Sequence, residues 1–293
     1  MNAAMLFRFC RLLLLFLAAG FPLASFAQEA APILVRLWPE GQMPGRGAPQ
    51  AEGTFLSSND GKPRIVNVSE PTLAVYPADR VDAPTLVIAP GGGYAWLAYD
   101  KEGVEIARWL NGAGITALVL KYRVPDNRDG ALQDMQRALR LTRANAAAWH
   151  VDPRRLGVIG FSAGGHLCAR AATSYGTPSY EALDAADDES ARPDFAVLVY
   201  PAFLEIDGAL NPELRFPPDM PPLLFFSNAD DTMCVTSGIV FDKALSGAGV
   251  AHQFVLFPSG GHGHGLHSTG ASADWPRQLL DWLAKTAPGA ISR

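Results

Sequence analysis

The stretch "VIGFSAGGH", residues 158–166, places Ser162 between Gly160 and Gly164. The pattern is G-x-S-x-G: an apolar run precedes it and a small-residue stretch that opens a helix follows. A strand that turns sharply into a helix forces the serine between them into strained backbone. Only small neighbours avoid clashes there, and the turn exposes the hydroxyl above the helix N-terminus. Ser162 therefore reads as a nucleophile rather than as a small turn residue. A serine hydroxyl attacks only when a base removes its proton, and the chain has six histidines to choose from. His150 precedes the nucleophile strand on the wrong side, His166 lies four residues into the nucleophile helix, and His252 begins the last strand. His262, His264 and His267 remain, in "PSGGHGHGLH". His262 directly follows two glycines that let the loop fold back, and is assigned as the base; His264 and His267 read as loop or rim residues.

A base of this kind needs an acid to hold its tautomer. "LLFFSNADDT" places Asp230 and Asp231 just beyond an apolar run, between nucleophile and histidine in chain order. Asp231 is assigned as the acid and Asp230 as a turn or capping residue, with the opposite assignment open. The reaction also develops an oxyanion. "APGGGY", residues 89–94, ends an earlier apolar run in three glycines, whose backbone can approach a substrate oxygen closely. The N–H groups of Gly92 and Ala163, with Gly93 beside them, are expected to form the oxyanion hole. Tyr94, Trp96 and Tyr99 follow that turn, and Tyr94 and Trp96 are taken as a substrate platform. The chemistry these residues support is acyl transfer through a covalent seryl intermediate. No organic cofactor is required. No metal site is expected, because neither CxxC nor HExxH spacing occurs.

These residues need a scaffold that delivers them to one edge. "TLVIAPGGGY", "ITALVLKYRVP", "RLGVIGFS", "FAVLVYPAF", "PPLLFFSNADD" and "HQFVLFPSGGH" are apolar without alternation, as strands buried on both faces are. Helical patterns fall between them at 101–112, 130–149, 163–174, 236–247 and 273–285. Strand–helix alternation of this kind predicts an α/β fold with a mostly parallel, doubly wound sheet of about eight strands flanked by helices. "RIVNVS" and "TLAVYPA" are expected to be short strands paired with each other. Residues 204–222 offer room for only a minimal cap, so the site should be open.

Ahead of this domain, residues 28–62 are rich in Pro, Gly, Ala and Gln and read as an irregular N-terminal arm; the catalytic domain is placed at 63–293. Residues 1–27 carry Arg8 and Arg11, an apolar run from Leu12 to Gly20, and Ser25-Phe26-Ala27, the pattern of a signal peptide cut after Ala27. The expected location is the periplasm or the medium. Removing that segment, with its two basic and no acidic residues, takes the net charge from −5 to −7. An acidic protein of this kind is a poor partner for nucleic acid or an anionic membrane. Cys168 and Cys234 read as two buried thiols.

"PGGGY", "DKEGVEIARWLNGAGITALVLKYRVP", "DPRRLGVIGFSAGGH", "NADD" and "GGHGHGL" together make the chain resemble secreted bacterial α/β-hydrolase esterases related to acetyl xylan esterases, over most of residues 37–285. "LWPEG" is similar to that group too. The resemblance implies the α/β-hydrolase fold, Ser162, Asp231 and His262 as a triad, and the Gly91–Gly93 turn at the oxyanion hole. It implies a short-acyl carbohydrate ester, such as an acetylated xylo-oligosaccharide, as substrate. A general carboxylesterase or feruloyl esterase shares every motif. A serine peptidase shares the catalytic domain, and a non-catalytic carbohydrate-binding relative would have lost one of these residues. The chain departs from the group at His264, where relatives carry an aromatic, and at Thr232-Met233-Cys234-Val235, where they read Val-Val-Pro. The second departure keeps Asp230 open as the acid.

Overall fold

The computed structural model describes residues 31–287; the proposed signal segment, 1–27, lies outside the described residues. Among the described residues twelve strands form: β1 (Ile33–Arg36), β2 (Gly53–Leu56), β3 (Pro63–Val66), β4 (Thr72–Tyr76), β5 (Ala83–Ala89), β6 (Thr116–Lys121), β7 (Val151–Phe161), β8 (Ala196–Val199), β9 (Glu205–Ile206), β10 (Ala209–Leu210), β11 (Leu223–Asn228) and β12 (His252–Phe257). Five α-helices alternate with them: α1 (Glu105–Gly112), α2 (Arg128–Ala144), α3 (Ala163–Ser174), α4 (Val235–Gly247) and α5 (Trp275–Thr286). Eight strands make one sheet in the order β1-β4-β6-β5-β7-β8-β11-β12. All pairings from β6 to β12 are parallel; β4 is antiparallel to both of its neighbours, β1 and β6. This is the α/β-hydrolase fold, with the strand number the apolar runs predict.

The unbroken apolar runs have a direct cause. Val87 and Ala89 of β5, with Leu118 and Leu120 of β6, pack on one side of the sheet with Met135 and Leu139 of α2, Leu167 of α3 and Phe241 of α4. Leu86, Ile88, Ala117 and Val119, which alternate with them, pack on the other side with Ile106 and Leu110 of α1 and Trp275 and Leu279 of α5. Side chains alternate between faces along a strand, and both faces here are covered, so every position favours an apolar residue.

Three sequence expectations change: the irregular arm, the pairing of the two short strands and the helix at 101–112. The segment 28–62 is not wholly irregular: β1 joins the main sheet and β2 pairs with β3. As a result "RIVNVS" and "TLAVYPA" do form strands, but each pairs with a strand from the arm instead of with the other. The helix expected at 101–112 is a π turn (Asp100–Val104) running into α1, which rotates Glu102 and Gly103 into the interior. The minimal cap expected over residues 204–222 is what forms: among the described residues between β8 and β11 the only regular elements are the two-residue strands β9 and β10.

Candidate active site

β5 and β7 are neighbours in the sheet, yet the chain leaves β5 to build β6 on one side and leaves β7 to build β8 on the other. The connections diverge there, which is the switch point beyond the carboxyl ends of the strands where sheets of this kind place their ligands. Two turns meet at that point. The glycine turn follows β5, and Ser162 follows β7. A Cβ placed on Gly91 would lie 3.0 Å from the Ser162 Cβ, so the turns are in contact. Gly92 has φ +137°, and a Cβ there would fall 1.9 Å from the Trp96 carbonyl oxygen; only glycine fits this turn.

Ser162 itself sits at φ 52°, ψ −118°, a strained conformation for a residue with a side chain. Three backbone bonds hold it there. Its N–H donates to Val199 O (3.0 Å), and its carbonyl accepts from His166 N (3.2 Å) and Ala202 N (3.1 Å). Close packing of α3 against the sheet demands the flanking glycines: a Cβ on Gly164 would lie 2.0 Å from Ala89 O, and one on Gly160 would lie 2.1 Å from Gly164 O. The Ser162 side chain remains partly accessible at the N-terminus of α3.

His262 Nε2 lies 2.8 Å from Ser162 Oγ, and His262 Nδ1 lies 2.7 Å from Asp231 Oδ2. A carboxylate only accepts, so Nδ1–H donates to Asp231 and a neutral ring leaves Nε2 free to accept the serine proton. The second Asp231 oxygen accepts the N–H groups of Met233 and Cys234, both at 3.1 Å. Its side chain is 2% exposed against 21% for His262. Burial opposes the charge on Asp231, but His262 and these two N–H groups outweigh it and hold the pKa below the usual carboxylate range. For His262 burial likewise disfavours the cation. The hydrogen bond to Asp231, with the Cys234 sulfur adding, reverses that and raises its pKa. Asp230 plays a different part. Its carboxylate accepts the N–H groups of Gly260 (3.1 Å) and Gly261 (2.9 Å), fastening the His262 loop to the end of β11.

The remaining histidines have other roles. His166 is fully buried and bonded to the Tyr94 hydroxyl at 2.9 Å; burial, with Arg170 and Arg128 nearby, pulls its pKa down to about 3. His264 is buried too. Its Nδ1–H donates to Gly265 O (2.9 Å) and its ring packs edge-on to Tyr200 (4.6 Å), so it shapes the loop. His267 lies further out on Glu105 and Lys62.

Tyr94 does not form a platform: it is 1% exposed, because the turn at Gly92 and Gly93 folds its ring inward against Tyr122 and His166. Trp96 is half-buried between Phe55 and the Arg64 guanidinium. A different aromatic stands one residue beyond the nucleophile's backbone contact. Phe203 follows Ala202, whose N–H is bonded to the Ser162 carbonyl; it is 36% exposed, has φ 57°, and lies under the Arg128 guanidinium at 4.6 Å. Bulky residues rarely adopt positive φ. Sequence reasoning misses it, since "YPAF" reads as a strand end.

Glu102 escapes sequence reasoning as well. Its carboxylate, 3% exposed, accepts the Gly91 N–H and the Tyr200 hydroxyl, each at 2.8 Å, and the same hydroxyl accepts the Gly265 N–H at 2.9 Å. The Tyr200 ring in turn packs 5.0 Å from the ring of His262. One buried acid thus links the glycine turn to the histidine loop. Nothing local signals it, because a regular helix would leave this position on its surface, where an acidic residue is ordinary.

Fold and site together define a protein of the α/β-hydrolase fold with a serine–histidine–aspartate arrangement at its switch point. Residues 73–199, from β4 to β8, match the BD-FAE family model; this span holds the glycine turn, Glu102 and Ser162 but neither Asp231 nor His262. Over 240 residues the chain is 32% identical to the acetylxylan esterase of Xylanibacter ruminicola, covering 73% of this chain and 46% of that protein. Over 217 residues it is 28% identical to endo-1,4-beta-xylanase B of Butyrivibrio fibrisolvens, covering 63% of this chain and 33% of that protein. The chain therefore spans less than half the length of these curated relatives. Among solved structures it is similar to the acetyl ester-xyloside bifunctional hydrolase from Caldicellulosiruptor lactoaceticus, with a TM-score of 0.72 and 28% identity over 89% of this chain and 98% of that one.

Proposed function

We propose that this protein is a serine ester hydrolase that removes short acyl groups, acetyl foremost, from carbohydrate esters such as acetylated xylo-oligosaccharides. The observation that carries the reading is the continuous hydrogen-bonded series Ser162–His262–Asp231. In the proposed reaction His262 Nε2 takes the Ser162 proton as Oγ attacks the ester carbonyl. The N–H groups of Gly92 and Ala163, with Gly93 beside them, receive the oxyanion. This role suits Gly92 and Gly93, since the N–H of Gly91 is already engaged by Glu102. His262 then protonates the departing alcohol, and water, activated by the same nitrogen, releases the acid.

The carbohydrate part of the proposal rests on the acetylxylan esterase and acetyl ester-xyloside hydrolase among the similar proteins. The uncapped edge supports it too, since an open site admits a bulky alcohol. Phe203, rather than Tyr94 or Trp96, is the proposed aromatic contact for the sugar: it is partly exposed, and Ala202 before it is bonded to the Ser162 carbonyl. The proposed location remains the periplasm or medium, after removal of residues 1–27; amino-terminal sequencing of the exported protein should begin at Gln28.

Acetate release from acetylated xylo-oligosaccharides, measured beside hydrolysis of p-nitrophenyl acetate and butyrate, tests the reading. Wild type should act on the oligosaccharides and prefer acetate to butyrate. Ser162→Ala should lose at least about 10⁴-fold in turnover with its circular dichroism unchanged. Activity on the small esters alone would keep the serine chemistry and discard the carbohydrate. Full activity in Ser162→Ala would discard both.

A further inference from the structure

The spacing rules for zinc find nothing in this chain, yet folding brings three ligand-type residues together from two loops. Asp231 and Cys234 stand on the turn between β11 and α4, and His262 on the loop between β12 and α5. One carboxylate oxygen, the Cys234 sulfur and one imidazole nitrogen all lie within 4.8 Å of one another. Asp231 and Cys234 are buried and His262 is partly so. The turn is already rigid, because Met233 N–H and Cys234 N–H both donate to the same Asp231 oxygen.

We infer that Asp231, Cys234 and His262 form a reversible binding site for a thiophilic divalent cation, Zn²⁺ or Cd²⁺, and that an ion bound there switches the serine chemistry off. The binding site stands on its own geometry; the switching rests on the function proposed above. In a zinc site the donors sit about 2.0–2.3 Å from the ion. The three atoms here are therefore near enough for one ion to reach all of them after small side-chain rotations, with water completing the shell. The donor set is selective. One thiolate, one imidazole and a single carboxylate suit Zn²⁺ or Cd²⁺, whereas Mg²⁺ and Ca²⁺ require several oxygens.

Inhibition follows from the tautomer. In the metal-free site Nδ1 carries the ring proton and Nε2 is the acceptor facing Ser162 Oγ. The ion takes the Nδ1 lone pair, so a neutral ring must carry its proton on Nε2. The thiol proton leaves to solvent as the sulfur binds, and when the ring starts neutral one proton is released per ion. Nε2–H now donates toward Ser162 and cannot accept its proton. The ion also draws Asp231 away from its bond to Nδ1. No electron transfer is involved, and a chelator reverses the state.

The experiment is a titration of the reduced, purified protein with Cd²⁺. It is followed both by the ultraviolet charge-transfer absorption of a cadmium thiolate and by the rate on p-nitrophenyl acetate. One ion per chain is expected, with absorption and loss of rate on a single saturation curve, and EDTA should restore the rate. Zn²⁺ should inhibit likewise and Mg²⁺ should not. Cys234→Ala keeps the backbone N–H on Asp231 but lacks the sulfur. It should show no absorption, and its half-inhibitory Cd²⁺ concentration, relative to its own metal-free rate, should rise about tenfold or more. Absorption that persists in Cys234→Ala would place the ion on another cysteine, Cys10 or Cys168, and overturn the site. Inhibition at the same concentration in both proteins would overturn it too. Absorption at one ion per chain that needs Cys234, with the rate unaffected, would keep the site and overturn the switch. Should the protein lack ester hydrolysis altogether, the absorption titration still decides the site while the functional reading fails separately.

Discussion

Two adjacent aspartates of the same charge and side-chain length have unrelated roles in this site, and the difference lies in which groups each one meets. Asp231 is buried and meets an imidazole N–H; Asp230 is exposed and meets two backbone N–H groups. Asp231→Asn should therefore lower kcat by about 10⁴-fold, because an amide can present its donor to Nδ1 and favour the wrong tautomer. It should also move the acidic limb of the pH profile. His262 works as a base only when neutral, so activity rises as pH climbs through its pKa. Burial lowers that pKa and Asp231, with Cys234, raises it to a greater extent. Removing the carboxylate's charge lets it fall, and the limb should shift to lower pH. Asp230→Asn keeps an acceptor for the loop and should change kcat by less than about tenfold with the limb in place. A pH–rate series on both variants reads these outcomes. Equal losses in the two would mean that the loop attachment, not the imidazole bond, controls the rate.

At the scale of elements, the site depends on how closely α3 and the glycine turn approach each other. The backbone of Gly164 touches the end of β5, and a methyl group there would sit 2.0 Å from Ala89 O. Gly164→Ala must displace α3 or the turn. It should cost about 3 kcal/mol or more in urea unfolding, since neither neighbour is a flexible side chain. Glu102 joins the glycine turn to the histidine loop through Tyr200, and burial raises its pKa, although Tyr200 and Gly91 pull the other way. Glutamine at this position cannot accept from both Gly91 N–H and the Tyr200 hydroxyl with its two oxygens, because one is now an NH₂. Glu102→Gln should lower kcat on p-nitrophenyl acetate by about tenfold while KM changes little, and Glu102→Ala should lower it further. A rise in KM with kcat intact would mean that Glu102 shapes the substrate site instead of holding the two loops in register.

At the scale of the whole molecule, the N-terminal arm is fastened to the middle of α2 and, through β1, to the edge of the sheet. Trp38 Nε1–H donates to Asp134 at 2.7 Å, Arg137 Nε–H donates to Leu37 O at 3.0 Å, and the Arg123 guanidinium pairs with Asp134 at 2.9 Å. Arg123 and Asp134 are 1% and 0% exposed. Removing one member of a buried pair strands the other, so Asp134→Ala should destabilise the protein by about 3–5 kcal/mol. Trp38 should then change its fluorescence before global unfolding as the arm detaches. A single cooperative transition at the wild-type denaturant midpoint would show that the arm adds no stability.

What residue order alone determined is the local part of this architecture. Apolar runs predict the central strands of the sheet because both faces are covered there, while β12 at the edge keeps its run with Gln253 and Leu256 exposed, and the helix periods place α2 to α5 within a few residues. The glycines around Ser162 and after β5 mark turns that other residues would obstruct, and the paired aspartates and the glycine-flanked His262 fall at strand ends. Only the tertiary structure decided what depends on contacts between distant segments. It chose Asp231 over Asp230 as the partner of His262, turned Tyr94 inward, and supplied β1 and β2 from the arm. It brought Glu102 beneath the glycine turn through one π turn, and Cys234 to His262. Those outcomes are matters of register and rotation: one residue of shift along a helix, or one φ of opposite sign, sends a side chain to the other face. Nothing local in the sequence holds that sign until the partner surface is in place.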